Sequence, residues 1–375
     1  MVASIGLSFV LTLSGLEIIL RCMPVSEALR GEPVNDAHPI YRFTPNRSVQ
    51  WSKGWNFSLR NEIWINNYGF ISDIDYDPTA TSLLLAIIGD SFVEAAMVPY
   101  GQTAAGLLKS RVADTGRVYS FGASGAALSQ YLAYAKYVGE EFQPAGLVIV
   151  IAGNDFDESL MKYRSYPGFH YFVDSTEHGL RLQRLDRSIP RWKDWVVSSA
   201  MGRYVVLNLE AGNVMERLTH RMAALFGKRR FVGNVDAEVE RGRLEDSRLA
   251  VDAFLTQLPL MSRLTPDRIL LVLDAPRPEI YSPDDLHAAQ KSFFGQIRRY
   301  LMAQAAIKGF ELIDLENVFV LDYQERGMKF EHRHDYHWNT NGHEVMAGAI
   351  RRSSVFQQMF VSTAGQSRDS MTTVR

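Results

Sequence analysis

The sequence predicts an α/β protein built on a mainly parallel sheet of five strands. Two observations carry this. Apolar-rich runs recur along the chain: "LLLAII" (83–88), "RVYSF" (117–121), "LVIVIA" (147–152), "RILLVLD" (268–274) and "FELIDL" (310–315). A run of apolar residues without alternation marks a strand buried on both faces. Helical segments lie between these runs, and strands alternating with helices imply βαβ units and a parallel sheet.

The chain starts with a long apolar segment. Residues 2–16, "VASIGLSFVLTLSGL", carry no charge, and apolar character resumes after Glu17 in "IILRC" before Arg21. Val2 to Leu20 is about the ~20 residues needed to cross a bilayer, with Glu17 near one end. The segment lacks a basic start and a small-x-small cleavage site, so an uncleaved membrane anchor over residues 1–21 is expected rather than a removed signal. A buried core helix is the alternative. The remainder is then expected outside the cytoplasm, periplasmic or at the cell surface.

Residues 22–80 form a lead-in rich in Pro, Asn and Trp with no sustained period, in which "NEIWINNYGF" offers a short strand or a turn. The α/β unit is expected over 81–356, with helices over 102–112 and 126–142, the second ending before Pro144. A long helical stretch runs from about Pro283 to Lys308, and a final helix follows Asn339, whose side chain could cap it. The alternation breaks in the aromatic and charged segment 156–245, read as an insertion that forms a cap or wall near a site, or as a peripheral decoration. The tail, 357–375, lacks a hydrophobic pattern and is expected to be disordered.

Composition bounds the function. A hydrophobic content of 46%, a charged content of 22% and a net charge of −2 suit a folded globular protein. They give no electrostatic case for nucleic acid. A single cysteine, Cys22, excludes an internal disulfide framework and a cysteine-rich metal site.

Three strand ends then carry polar groups: Gly89-Asp90-Ser91, "SFGASG" (120–125) and "AGNDF" (152–156). In open α/β sheets, carboxyl strand ends face one ligand crevice. Near the C-terminus, "HDYHWNTNGHEVMAGAI" (334–350) places Asp335 two residues before His337, so in an extended segment both point the same way. A serine hydroxyl needs a base to become a nucleophile, and an imidazole serves near neutral pH. A carboxylate fixes the tautomer and stabilises the imidazolium. Ser91, His337 and Asp335 supply these three types. The backbone N–H groups of Ser91 and Gly125 and the Asn154 amide could hold an oxyanion, with Gly122 as a competitor for Gly125.

These residues resemble the SGNH, or GDSL-type, hydrolases. Gly89-Asp90-Ser91-Phe92 matches block I, "SFGASG" block II, Gly153-Asn154-Asp155 block III and "DYHWNTNGH" block V, in order, over about residues 81–352. The resemblance implies a three-layer α/β/α, flavodoxin-like fold and carries the family's Ser, Gly, Asn and His to Ser91, Gly125, Asn154 and His337. The sequence departs from the pattern in block V, where the family's acid stands three residues before the histidine and this chain has His334. Asp335, two before, resembles an Asp-x-His-Trp subgroup found among polysaccharide O-acetylation proteins and membrane-anchored relatives. Phe92 stands where many members have Leu, and Ser120 where many have Asn.

The resemblance implies a serine esterase acting on carbohydrate or lipid O-acyl esters through an acyl-enzyme, without cofactor or metal. An O-acetyltransferase of a cell-envelope polysaccharide would use the same site. Two other classes remain: a zinc hydrolase built on His332, His334, His337 and His343 with Glu331 and Asp335 beside them, and a non-catalytic glycan-binding relative. Within block V, Glu331 with His334 is the alternative carboxylate–histidine pair, and His343, on the final helix, is read as structural.

Overall fold

The computed structural model describes residues 2–175, 179–189, 198–210, 241–277, 279–333 and 335–361. Helix α1 (Val2–Arg21) leads into the hairpin of β1 (Arg47–Lys53) and β2 (Leu59–Ile65), paired antiparallel from Arg47↔Ile65 to Lys53↔Leu59. The α/β unit follows with β3 (Leu83–Gly89), α2 (Ser91–Glu94), α3 (Ala104–Val112), β4 (Gly116–Gly122), α4 (Leu128–Glu141) and β5 (Gly146–Ile151). A second hairpin, β6 (His170–Ser175) and β7 (Gly179–Arg184), precedes β8 (Ile269–Leu273), β9 (Glu311–Asp314), β10 (Glu331–His332) and β11 (Asp335–Trp338).

Five strands form one parallel sheet in the order β4-β3-β5-β8-β9. Counted along the sheet strands alone, this is the 2-1-3-4-5 order of doubly wound flavodoxin-like folds, whose ligand crevice opens where the order reverses, between the first and third strands. Side-chain parity builds the layers. Leu84, Ala86 and Ile88 face a core shared with α4 and helices Arg241–Ser262 and Phe293–Ile307. Leu85 and Ile87 face the opposite core, closed by α3 and helices Leu315–Arg326, Thr340–Arg351 and Ser354–Phe360. Each fully buried aliphatic side chain here contributes roughly 1.5–3 kcal/mol. The result is the expected α/β/α arrangement.

Four details differ from the sequence reading. The lead-in contains a regular hairpin, and β1 was illegible because its buried positions include Ser52, which is held by polar partners: its hydroxyl donates to Pro24 O (2.6 Å) and accepts from Asn208 Nδ2 (2.8 Å). The stretch 283–308 is two helices, Pro283–Lys291 and Phe293–Ile307, because Ser292 adopts extended backbone and caps the second through Gly295 N–H (3.2 Å). Helix Arg241–Ser262 starts inside the segment read as an insertion and packs on α4 as the crossover to β8. The last helix reaches Phe360 and seats Phe356, Met359 and Phe360 in the core, so residues 357–360 of the expected tail are ordered. Residues 362–375 lie outside the described residues.

One close approach sets the geometry after β3. A Cβ on Gly122 would lie 2.2 Å from the Glu94 backbone nitrogen, so β4 and α2 touch main chain to main chain. Gly122→Ala should therefore destabilise the protein by about 1–3 kcal/mol, read as a lower urea midpoint. An unchanged midpoint would mean that α2 can shift away freely.

Candidate active site

Strand β3 ends at Gly89, and Asp90 caps α2 by accepting the Phe92 N–H (2.9 Å), which makes Ser91 the first helical residue at the carboxyl edge of the sheet. The four-residue helix stops at Ala95, in the left-handed region at φ 47°. Ser91 is thus held on a tight strand-to-helix turn.

His337 comes from β11, 246 residues away, and is fixed by its neighbours. Trp338 is fully buried and donates its indole N–H to Asp274 (3.0 Å). Asn339 caps helix Thr340–Arg351 through Gly342 N–H (3.1 Å) and donates to the Lys329 and Glu331 carbonyls (both 3.0 Å). Phe92 packs against both rings, with centroids 5.1 Å from His337 and 4.9 Å from Trp338. Phe92 therefore supports the imidazole.

The structure brings Ser91, His337 and Asp335 together. Ser91 Oγ lies 2.7 Å from His337 Nε2, and His337 Nδ1 is hydrogen-bonded to Asp335 Oδ1, which also accepts the His337 backbone N–H (2.9 Å). Burial raises the Asp335 carboxyl, but the His337 ring and the Lys53 ammonium outweigh it and hold it well below the usual carboxylate range. An ionised Asp335 is acceptor-only, so the ring proton sits on Nδ1 and Nε2 is left to accept from the Ser91 O–H.

Lys53 is the residue the sequence concealed. It stands at the end of β1, and its Nζ lies 2.8 Å from Asp335 Oδ2 and 2.9 Å from Glu210 Oε1. Burial pulls the ammonium down, but Asp335 and Glu210 together hold it above its ordinary value. A lone lysine 282 positions from its partner leaves no local signal.

Gly125 takes φ +83°, which strains any side chain there, whereas the nearest group a Cβ would meet, the Arg164 guanidinium tip at 2.6 Å, could swing aside. Gly122, its competitor, is accounted for by packing against α2. Asn154 donates from Nδ2 to Glu158 Oε2 (3.0 Å), and Glu158 is paired with Arg164. Among the described residues neither Gly125 nor Asn154 has a hydrogen bond to Ser91. Asp155 anchors the same turn from below, accepting from Tyr131 O–H and Ala152 N–H (both 2.7 Å), and burial pushes its carboxyl well up. Ser120 lies within β4, held by Tyr76, whose hydroxyl donates to Ser120 O (2.7 Å).

His343 is buried, accepts the Ala104 N–H (3.3 Å), and is pulled down to about 3 by burial and nearby positive groups. His332 is lowered by burial. Glu331 takes the Tyr281 hydroxyl. His334 lies outside the described residues. Among the described residues no three His, Cys, Asp or Glu side chains gather to hold a metal ion.

A cavity of about 350 Å³ opens beside the imidazole. Its lining includes His337, Asp335, Lys53, Glu94 and Ser124, together with Trp51 and Leu207.

No protein-family model and no curated protein matches the sequence. Solved structures do. The chain is similar to a member of the lipolytic protein G-D-S-L family from Veillonella parvula at 9% identity, covering 72% of this chain and 98% of that one, with a TM-score of 0.34. It is similar to a GDSL-like lipase from Bacteroides thetaiotaomicron at 10% identity (72% and 86% covered, TM-score 0.34). A lipase/acylhydrolase from Enterococcus faecalis aligns at 11% identity (72% and 94%, TM-score 0.35). At such identities and TM-scores the likeness carries no weight for the chemistry, which rests on the geometry of the site.

Glu94 yields a test of that geometry. Its carboxylate accepts from Ser124 N–H (2.5 Å) and Ser124 Oγ–H (2.9 Å), just before Gly125. Burial pushes Glu94 up to about 7, against the pull of those two donors and of His337. A carboxyl raised on folding stabilises fully at acid pH and loses that contribution as pH rises through its folded value. Glu94→Gln keeps an acceptor for Ser124 without the charge. Between about pH 5 and about pH 8 the variant should gain stability relative to the parent by on the order of 3 kcal/mol, measured by urea unfolding. Parallel pH curves for the two proteins would contradict the assignment.

Proposed function

We propose that this protein is a serine acyl-ester hydrolase of the SGNH type, anchored by α1 with its catalytic unit outside the cytoplasm. The observation that supports it best is the 2.7 Å contact between Ser91 Oγ and His337 Nε2, with Asp335 behind the ring. Ser91 Oγ attacks the ester carbonyl carbon as its proton passes to His337 Nε2, and Asp335 stabilises the imidazolium. The oxyanion takes hydrogen bonds from the Ser91 and Gly125 N–H groups and from Asn154. An amide nitrogen carries two protons. Glu158 accepts one and fixes the amide plane, and the other serves the oxyanion. His337 then returns its proton to the leaving alkoxide, giving an acyl-enzyme and an alcohol. Water, deprotonated by the same imidazole, releases the acid and restores Ser91. A hydroxyl-bearing acceptor seated in the cavity beside His337 would instead receive the acyl group, and that cavity is what favours transfer as the second reading.

The anchor reading rests on α1, a helix long and apolar enough to cross a membrane, with none of its most apolar window buried. Envelope glycan or lipid O-acyl esters are the substrates this location suggests.

Ser91→Ala should abolish hydrolysis of p-nitrophenyl acetate and labelling by a fluorophosphonate. Asp335→Asn should lower kcat by up to about four orders of magnitude, and Asn154→Ala by about a hundredfold or more. A fluorophosphonate adduct on another serine, or near-parental kcat in folded Asn154→Ala, would remove that residue from the mechanism.

A further inference from the structure

Helix α1 meets the rest of the chain at its last turn. The Glu17 carboxylate accepts from Ser199 Oγ–H (2.8 Å), Ala200 N–H (2.9 Å) and Met201 N–H (2.9 Å), and it pairs with Arg21 (2.8 Å). Earlier turns present Ile5, Leu7, Phe9, Val10 and Leu11 outward. A carboxylate inside an apolar span is costly unless it is satisfied, and here the donors come from residues 199–201. Glu17 precedes Arg21 by about one turn, ~6 Å along the axis. If Arg21 sits at the headgroups, residues 199–201 lie at nearly the same depth.

The chain runs on from that contact through helix Ala200–Arg203 into a π-helical turn, Tyr204–Asn208. Its outer side chains are Val205 and Val206, followed by Leu209, all exposed. Trp55, 73% exposed, is tied to them by the Tyr204 hydroxyl, which donates to Trp55 O (2.7 Å). An exposed tryptophan among exposed aliphatic side chains, continuous with a bilayer-length helix, fits the interfacial zone of a membrane. The inner side of the same turn builds the site. Asn208 is buried between Ser26 N–H (3.0 Å) and Ser52 Oγ (2.8 Å), and Leu207 lines the cavity beside His337.

We propose that Ser198–Leu209 and Trp55 seat in the headgroup layer, so that the cavity beside His337 opens at the bilayer surface and takes an amphipathic acyl ester presented by the membrane. This rests on the anchor and esterase readings above.

The test uses the full chain with Cys22→Ser in liposomes of phosphatidylethanolamine and phosphatidylglycerol. Single nitroxides are placed through Val205→Cys and Val206→Cys, with Leu11→Cys in α1 and Leu260→Cys at the far end of helix Arg241–Ser262 as references. Power saturation should give the 205 and 206 labels several-fold more oxygen contact relative to a water-soluble nickel chelate than the Leu260 label. If they match Leu260 while Leu11 is in the bilayer, the inference fails and the anchor stands. If Leu11 also matches Leu260, both fail. Labels shielded from oxygen and nickel alike would place a protein partner there and overturn the lipid assignment. For the substrate, the double variant Val205→Asp/Val206→Asp should lower the ratio of hydrolysis of a bilayer-borne ester to a water-soluble one by about tenfold. An unchanged ratio overturns the substrate class, whatever the absolute activity.

Discussion

The Asp335 carboxylate is the interaction on which the site depends. One oxygen accepts from the His337 ring and from the His337 backbone, and the other takes the Lys53 ammonium. The first pair fixes the imidazole tautomer and aims Nε2 at Ser91. The second ties the lead-in hairpin to a strand near the other end of the chain. Removing Asp335 would leave the ring unaimed and Lys53 held by Glu210 alone, so its loss reaches both the chemistry and the tie to the hairpin.

Four of the carboxyls around the site are divided by their surroundings. Burial raises Asp90 to about 6 and Glu94 to about 7, and pushes Asp155 well up. Asp335 alone among these four is driven down, because a lysine and the imidazole face it. The three raised carboxyls work as acceptors for backbone N–H groups: Asp90 for Phe92, Glu94 for Ser124, Asp155 for Ala152. Each holds one of the turns that end β3, β4 and β5.

Much of this was legible in the sequence. The runs at 83–88, 147–152 and 268–274 gave buried strands because a two-sided sheet leaves no polar face to blur the signal. Asp335 and His337 were legible because a two-residue spacing in extended chain decides direction by itself. The lead-in was opaque for the opposite reason. Strand β1 buries Val49, but it also buries Ser52 and turns Lys53 toward Asp335, and both polar groups are satisfied by residues far away in sequence. Glu158, which holds the Asn154 amide, and Glu94 were hidden likewise, since an acidic residue one turn after a motif looks like a solvated helix face.

The claim that Ser91 is an acylated nucleophile aligned by His337 can be read directly. The protein is mixed with p-nitrophenyl acetate, quenched in acid during turnover, digested and mapped by mass spectrometry. The account predicts an acetyl adduct on the peptide carrying Ser91, absent from Ser91→Ala and formed more slowly in the first turnover by Asp335→Asn, whose imidazole is no longer aimed. Sustained turnover with no adduct, or an adduct confined to another residue, would contradict it.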